Sequence, residues 1–223
     1  MRRIFILATL LVSINAFSQE EKSGRTELSI SVNPMISWLQ SDIRDVKMSS
    51  AAIGIDGGLI IDHYFAPRYA FNTGLQIGSY SGALNYTKAS NIHISGKEQV
   101  TIIAAGSDVN YRVQYLTIPL GLKLKTKKIG YLSYSANMGV YSQFRIKAKA
   151  ESSDKSVQNE VVTESIKTLN FGYQFGLGAE YDLGGNMAFL FGLNYANGVV
   201  DITKEKSDKI NLSALSLKLG ILF

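Results

Sequence analysis

Cysteine is missing altogether from the 223 residues. Its absence excludes disulfides, cysteine-ligated zinc, iron–sulfur clusters, a cysteine nucleophile and acylation at a lipoprotein cysteine. Three prolines stand beside 20 glycines, which excludes collagen-like and proline-rich disordered chains. Charged residues make up 18%, below the usual quarter, against disorder and coiled coil. Mean hydropathy is +0.06, too low for a bundle of membrane helices. The longest uncharged stretch, residues 69–87, contains Asn72, Gln76 and Asn85 and alternates at its start. A spanning helix would expose those polar groups to lipid, so that reading is rejected. No P-loop, Gly-x-Ser-x-Gly elbow, His-Glu-x-x-His or calcium loop occurs.

The chain opens on an address. Met1-Arg2-Arg3 is basic, Ile4 to Ile14 is apolar apart from Thr9 and Ser13, and Ala16-Phe17-Ser18 places small residues where a signal peptidase cuts. The apolar run is too short for a span of roughly 20 residues. Residues 1–18 are therefore expected to be a signal peptide and 19–223 a single domain. Arg2 and Arg3 would leave with the leader and take two of the +5 formal charges with them. Nothing in the remainder resembles a nucleic-acid footprint.

What the chain has is period two. In Thr168 to Asp182, the residues Leu169, Phe171, Tyr173, Phe175, Leu177, Ala179 and Tyr181 share one face. Asn170, Gly172, Gln174, Gly176, Gly178 and Glu180 share the other, a separation only an extended strand makes. The pattern recurs around Leu28, Ile55, Phe71, Leu120, Met138, Phe191 and Leu217, giving eight candidate strands. Ile60, Leu190 and Leu222 fall on the polar side, Ser142 on the apolar side, and Pro119 sits mid-strand, where it should cost a ladder hydrogen bond.

Connections alternate in length. Residues 64–68, 126–130 and 183–186 are short turns with Gly, Pro or Asn; residues 40–50, 87–110, 147–167 and 197–209 are longer and polar. This predicts an all-β fold: an eight-stranded antiparallel up-and-down transmembrane β-barrel with short periplasmic turns and long extracellular loops.

A soluble barrel would alternate too, with the faces reversed. Three features favour the membrane sense. Glycines crowd the polar faces (Gly54, Gly58, Gly74, Gly121, Gly139, Gly178), as a narrow lumen filled by side chains requires. Aromatics cluster near strand ends, with Tyr69, Phe71, Tyr181 and Phe189 toward the short turns and Trp38, Phe144 and Tyr195 toward the long loops. Two such girdles suit two lipid–water interfaces. The polar faces hold Asp56, Lys123, Arg145, Glu180 and Lys218, an expected interior network in which Glu180 and Lys218 are one candidate pair. No apolar-face position carries a charge, where a mid-depth Lys or Arg would cost about 2–4 kcal/mol.

The segment Tyr115-Leu116-Thr117-Ile118-Pro119-Leu120-Gly121-Leu122-Lys123, the Ala-Phe-Ser/Gln leader ending and the last strand closing on Phe223 resemble the PorT-like outer-membrane β-barrel proteins of the Bacteroidota. The resemblance implies an outer-membrane barrel inserted by the barrel-assembly machinery, which reads the last strand and its C-terminal Phe223, and it carries over no catalytic residues. The expectation is a structural or partner-binding barrel with a polar lumen, not an enzyme. It has no cofactor or metal, contacts outer-membrane lipid, meets a protein partner through the outer loops, and is a monomer because a closed barrel leaves no sheet edge. Two alternatives stay open. One is a secreted soluble β-barrel binding an apolar ligand. The other is an outer-membrane lipid-modifying enzyme using His93 with Ser90 or Ser95.

Overall fold

The computed structural model describes residues 24–92, 94–96, 101–203 and 210–223. The expected leader cut after Ser18 and His93 lie outside the described residues. Among the described residues eleven strands form: β1 (Thr26–Ser41), β2 (Val46–Ala66), β3 (Tyr69–Tyr86), β4 (Ser90–Ile92), β5 (Thr101–Ile103), β6 (Ser107–Lys125), β7 (Leu132–Ser152), β8 (Glu160–Val161), β9 (Leu169–Gly184), β10 (Met187–Gly198) and β11 (Ile210–Leu222). Eight of them close a ring in the order β1-β2-β3-β6-β7-β9-β10-β11, with β11 returning to β1 and every pair antiparallel. β8 is appended to β7, and β4–β5 is a separate hairpin.

The faces point as a membrane barrel requires. Phe175 is 46% exposed and Leu217 43%, whereas Glu180 is 4% exposed. Leu28, Ile30, Leu59, Leu120, Met138 and Phe191 join the outward belt. A soluble barrel with its apolar faces inward is thereby excluded.

The strands outrun the bilayer. A spanning strand needs about 9–11 residues. β10 and β11 have 12 and 13, but β2 and β7 have 21 each and β6 has 19. Parts of the predicted loops at residues 40–50, 87–110 and 147–167 are therefore strand. In these extensions the sense of the alternation inverts. Along β6 the inward residues Thr117, Gly121 and Lys123 give way to Val109, Tyr111, Val113 and Tyr115, while Asn110, Arg112 and Gln114 turn outward. β7 reaches the same result through a bulge: Gln114 pairs with Lys147 but Tyr115 with Arg145, so beyond Ile146 the inward positions pass from Tyr141 and Gln143 to Ala148 and Ala150, and Lys147 is exposed. Where the surroundings change from hydrocarbon to water, the wall changes which of its faces is apolar.

The mid-strand proline has an account. β1–β11 pairing runs to Val32–Leu219 and resumes at Met35–Ser216. β3–β6 pairing runs to Thr73–Leu120 and resumes at Gln76–Thr117. Pro34 and Pro119 sit in these two gaps, each losing one side of its ladder for want of an N–H and keeping the other through Ile55 and Tyr141. Thr73 Oγ1 donates to the Pro119 carbonyl at 3.0 Å.

A second irregularity is a bulge in β2 between Ala51 and Ile55. Ile53, on the outward parity of Ile55 and Leu59, is 85% exposed there. On the inner side Ser37 of β1 reaches past β2: its hydroxyl donates to the Ser81 carbonyl at 2.7 Å and accepts from the Ser81 amide at 2.8 Å.

Candidate functional site

The lumen is stratified into three layers. Nearest the short turns lies an ion network. Lys123 Nζ stands 2.6 Å from Asp62 Oδ2, 2.7 Å from Glu180 Oε1 and 3.9 Å from Glu27 Oε2. Lys125 pairs with Glu180 and lies 3.5 Å from Glu27. Asn72 donates to Asp62, and Tyr64 donates to Glu27 at 3.0 Å. Arg25 completes the set, 3.2 Å from Glu27 with its guanidinium 4.2 Å from the centre of the Tyr64 ring. Three cations meet three carboxylates, so charges that could not be buried singly are held together. Below this layer the lumen opens into a vestibule of about 770 Å³, whose lining includes Arg68, Lys127, Lys128 and Asp182.

The middle layer mixes amides and hydroxyls with Asp56 and Lys218. Asn33 donates to Asp56 Oδ1 at 2.5 Å and Tyr80 to Asp56 Oδ2 at 3.2 Å. Gln143 donates to Thr117 at 3.2 Å and accepts from Asn170 at 2.8 Å. A cavity of about 80 Å³ remains among these groups, room for several waters. Tyr80 and buried Tyr141 line this cavity, and Tyr80 meets Tyr115 edge to face with ring centres 5.9 Å apart.

Above the tyrosines the lumen is apolar. Leu39, Leu84, Val109, Val113, Ile210 and Leu212 project inward from the wall. Ile92, Ile94 and Ile103 enter from the β3–β6 connection, Val157, Val162 and Ile166 from the β7–β9 connection, and Ile202 from the β10–β11 connection. The expected polar lumen is thus confined to the short-turn half. The connections are also tied to one another. The Ser95 amide donates to the Val161 carbonyl at 2.8 Å, and the Lys167 amide to the Ile202 carbonyl at 2.7 Å. Asp154 accepts from the Ser152 and Ser156 hydroxyls and from the Ser156 and Ala104 amides. Those four donors hold its carboxyl well below the usual range. Burial pushes Asp201 up, but the Ile210 amide, the Lys167 ammonium and Thr203 hold it lower on balance.

Of the five expected interior residues, the structure brings only Lys123 and Glu180 into contact. Glu180 uses Lys123 and Lys125, so the candidate Glu180–Lys218 pair does not form. Asp56 and Lys218 both line the central cavity, and among the described residues Lys218 makes no ion pair. Arg145 stands apart near the outer rim, donating to the Ile166 carbonyl at 2.8 Å and to Thr168 Oγ1 at 3.3 Å. Glu27, Asp62 and Lys125 were missed. Each sits at a strand end beside a turn, where an acidic or basic residue reads as solvated. The signal available was inward parity: Asp62 shares it with Ile60, and Lys125 with Gly121 and Lys123.

The girdle residues lie on the outer face. Trp38 and Tyr195 meet at 6.3 Å near the long connections. At the other end Tyr69 and Phe71 pack on Phe65, Tyr181 lies 6.0 Å from Tyr131, and Phe189 lies 6.4 Å from Phe191. Phe144 and the C-terminal Phe223 are exposed on the same face. His63, near a short turn, contacts Thr26 Oγ1 at 3.0 Å.

The family described as outer membrane protein beta-barrel domain matches residues 17–204. Neisserial surface protein A superposes with a TM-score of 0.52 at 11% identity, covering 91% of this chain and 98% of that one. The outer membrane protein OprG of Pseudomonas aeruginosa gives 0.45 at 12% identity, covering 90% and 96%. Ail of Yersinia pestis, crystallised with a heparin analogue, gives 0.39 at 15% identity, covering 91% and 100%. No curated protein matches.

Proposed function

As this chain belongs to the outer membrane protein beta-barrel domain family and resides in the cell outer membrane, we propose that it is a non-conducting, non-catalytic barrel whose outer cap docks a protein partner. The observation that carries this reading is the apolar core above Tyr80 and Tyr115. An ion crossing it would lose its hydration among side chains that are almost all hydrocarbon, the Tyr86 and Tyr111 hydroxyls being already paired with each other at 2.9 Å. The connections that form the cap are tied together, which suits a preformed docking surface, because little entropy is lost on binding. In this reading the long connections face the outside and the short turns the periplasm. The Ile118-Pro119-Leu120 strand supports placing the chain among the PorT-like members of the family. The residue 1–18 leader supports export by a cleaved signal peptide.

Two measurements test the proposal. In planar bilayers the purified protein should give no stable currents; large single-channel steps would refute the plug. A pull-down from detergent-solubilised membranes should recover a partner with the full chain and lose it when residues 90–103 are replaced by a short Gly-Ser turn. Equal recovery from both would refute docking through that part of the cap.

A further inference from the structure

The outer surface of β6 and β7 is banded along the barrel axis. Leu116, Phe144 and Ile146 form the top of its apolar belt. One or two rungs higher the outward positions are Gln114 and Arg112 on β6 and Lys147 and Lys149 on β7. Arg112 faces Lys149 directly, and Lys147 faces Gln114. Acidic residues come only above them, with Glu151 opposite Asn110 and Asp108 one rung further on.

Like charges directly opposite on a ladder repel and are destabilising. Here no described residue forms an ion pair with either cation. Among the described residues neither Arg112 nor Lys147 makes an ion pair, and Lys149 reaches only the Asn159 side-chain carbonyl at 3.3 Å. Strands rise about 3.3 Å per residue, so the three cations lie within about 10 Å of the last apolar residue, the depth at which a lipid's phosphate meets water. A polybasic cluster there is attracted to an anionic headgroup layer, and the arginine fork suits a phosphate.

We propose that Arg112, Lys147 and Lys149 form a binding site for the phosphate of a lipid whose acyl chains lie against the Leu116–Phe144–Ile146 part of the belt. Charge complementarity and continuity with the lipid-facing belt select a phospholipid or phosphorylated glycolipid over a protein. That the lipid belongs to the outer leaflet rests on the orientation in the preceding section, whereas the site itself does not.

The test uses the full barrel in a neutral maltoside detergent, with retention of bisphosphorylated lipid A measured by native mass spectrometry. The wild type should retain it. Each of Arg112→Gln, Lys147→Gln and Lys149→Gln should weaken retention about fivefold, and the triple variant on the order of a hundredfold. Dephosphorylated lipid A should bind the wild type and the triple variant alike. Millimolar inorganic phosphate should not displace the lipid; displacement would mean a free-phosphate site and overturn the lipid assignment. Equal retention by the wild type and triple variant would overturn the site. So would an equal loss in Arg68→Gln/Lys127→Gln/Lys128→Gln, which removes three cations at the other end. Because detergent has no sidedness, a wrong orientation would leave these results intact and show only in which end is labelled on whole cells.

Discussion

Replacing Lys123 by Met removes the centre of the ion network while keeping its bulk. Lys123 is 4% exposed, and its ammonium sits within 2.7 Å of two carboxylates that are themselves almost fully buried. Glu180 would keep Lys125, but Asp62 would keep only the Asn72 amide. Orphaning a buried charge in this way costs about 3–5 kcal/mol. Asp62→Asn alone is milder, about 1–3 kcal/mol, because Lys123 retains Glu180. In the double variant Lys123→Met/Asp62→Asn no charge is orphaned at position 62, and the loss should fall short of the summed single losses by about 1–3 kcal/mol. Urea unfolding from phosphatidylcholine vesicles measures this. The single tryptophan, Trp38, sits at the far rim beside Tyr195 and reports leaving lipid without touching the network. Additivity within about 0.5 kcal/mol would refute the coupled network. A single-variant loss under about 1 kcal/mol would refute its burial, since solvated pairs contribute no more than that.

Other consequences are equally direct. Ser37→Ala strips both partners from the Ser81 amide and carbonyl and should cost about 1–3 kcal/mol in the same unfolding assay, with Ser37→Thr restoring most of it. Leu217→Arg should cost about 2–4 kcal/mol at mid-depth, whereas Leu217→Phe should be close to neutral. Asp154→Asn should open residues 153–159 to protease. Because the Asp154 carboxyl is held below its usual range, its contribution is complete above the unfolded value and lost only as pH falls through the depressed one. The wild-type segment should therefore stay resistant at about pH 4, where an ordinary aspartate is half protonated.

The part of the fold that could be read in advance is the part bathed in hydrocarbon. There a polar lumen and an oily exterior impose opposite demands on alternate residues, and the run from Leu169 to Tyr181 displays them without a break. Above the bilayer the exterior is wet and the interior is a core, so Val109, Tyr111 and Val113 carry the apolar face that Leu116, Ile118 and Leu120 carry below. On β6 the apolar positions change phase by one residue near Gln114, and a single-period reading stops there; on β7 they stay in phase from Phe144 to Ala150, and it is a bulge at Ile146, which no period in the sequence marks, that turns Ala148 and Ala150 inward. The apolar plug was illegible for a further reason. Ile92, Val157, Ile166 and Ile202 come from connections with no period, and only the closure of the ring brings them together. Lys123 and Glu180 were legible as inward charges. Their true partners were not, because choosing among Asp62, Glu27, Lys125 and Lys218 needs the stagger between strands.

Everything depends on which face of each strand meets lipid. The chain has no native cysteine, so single cysteines can be placed along residues 214–221 in an otherwise wild-type protein, spin-labelled and reconstituted in vesicles. The structure predicts a period-two profile: labels at 215, 217 and 219 relax with oxygen and are shielded from a water-soluble nickel chelate, and labels at 214, 216 and 218 are protected from oxygen. Maxima at the even positions, or a profile without alternation, would contradict it.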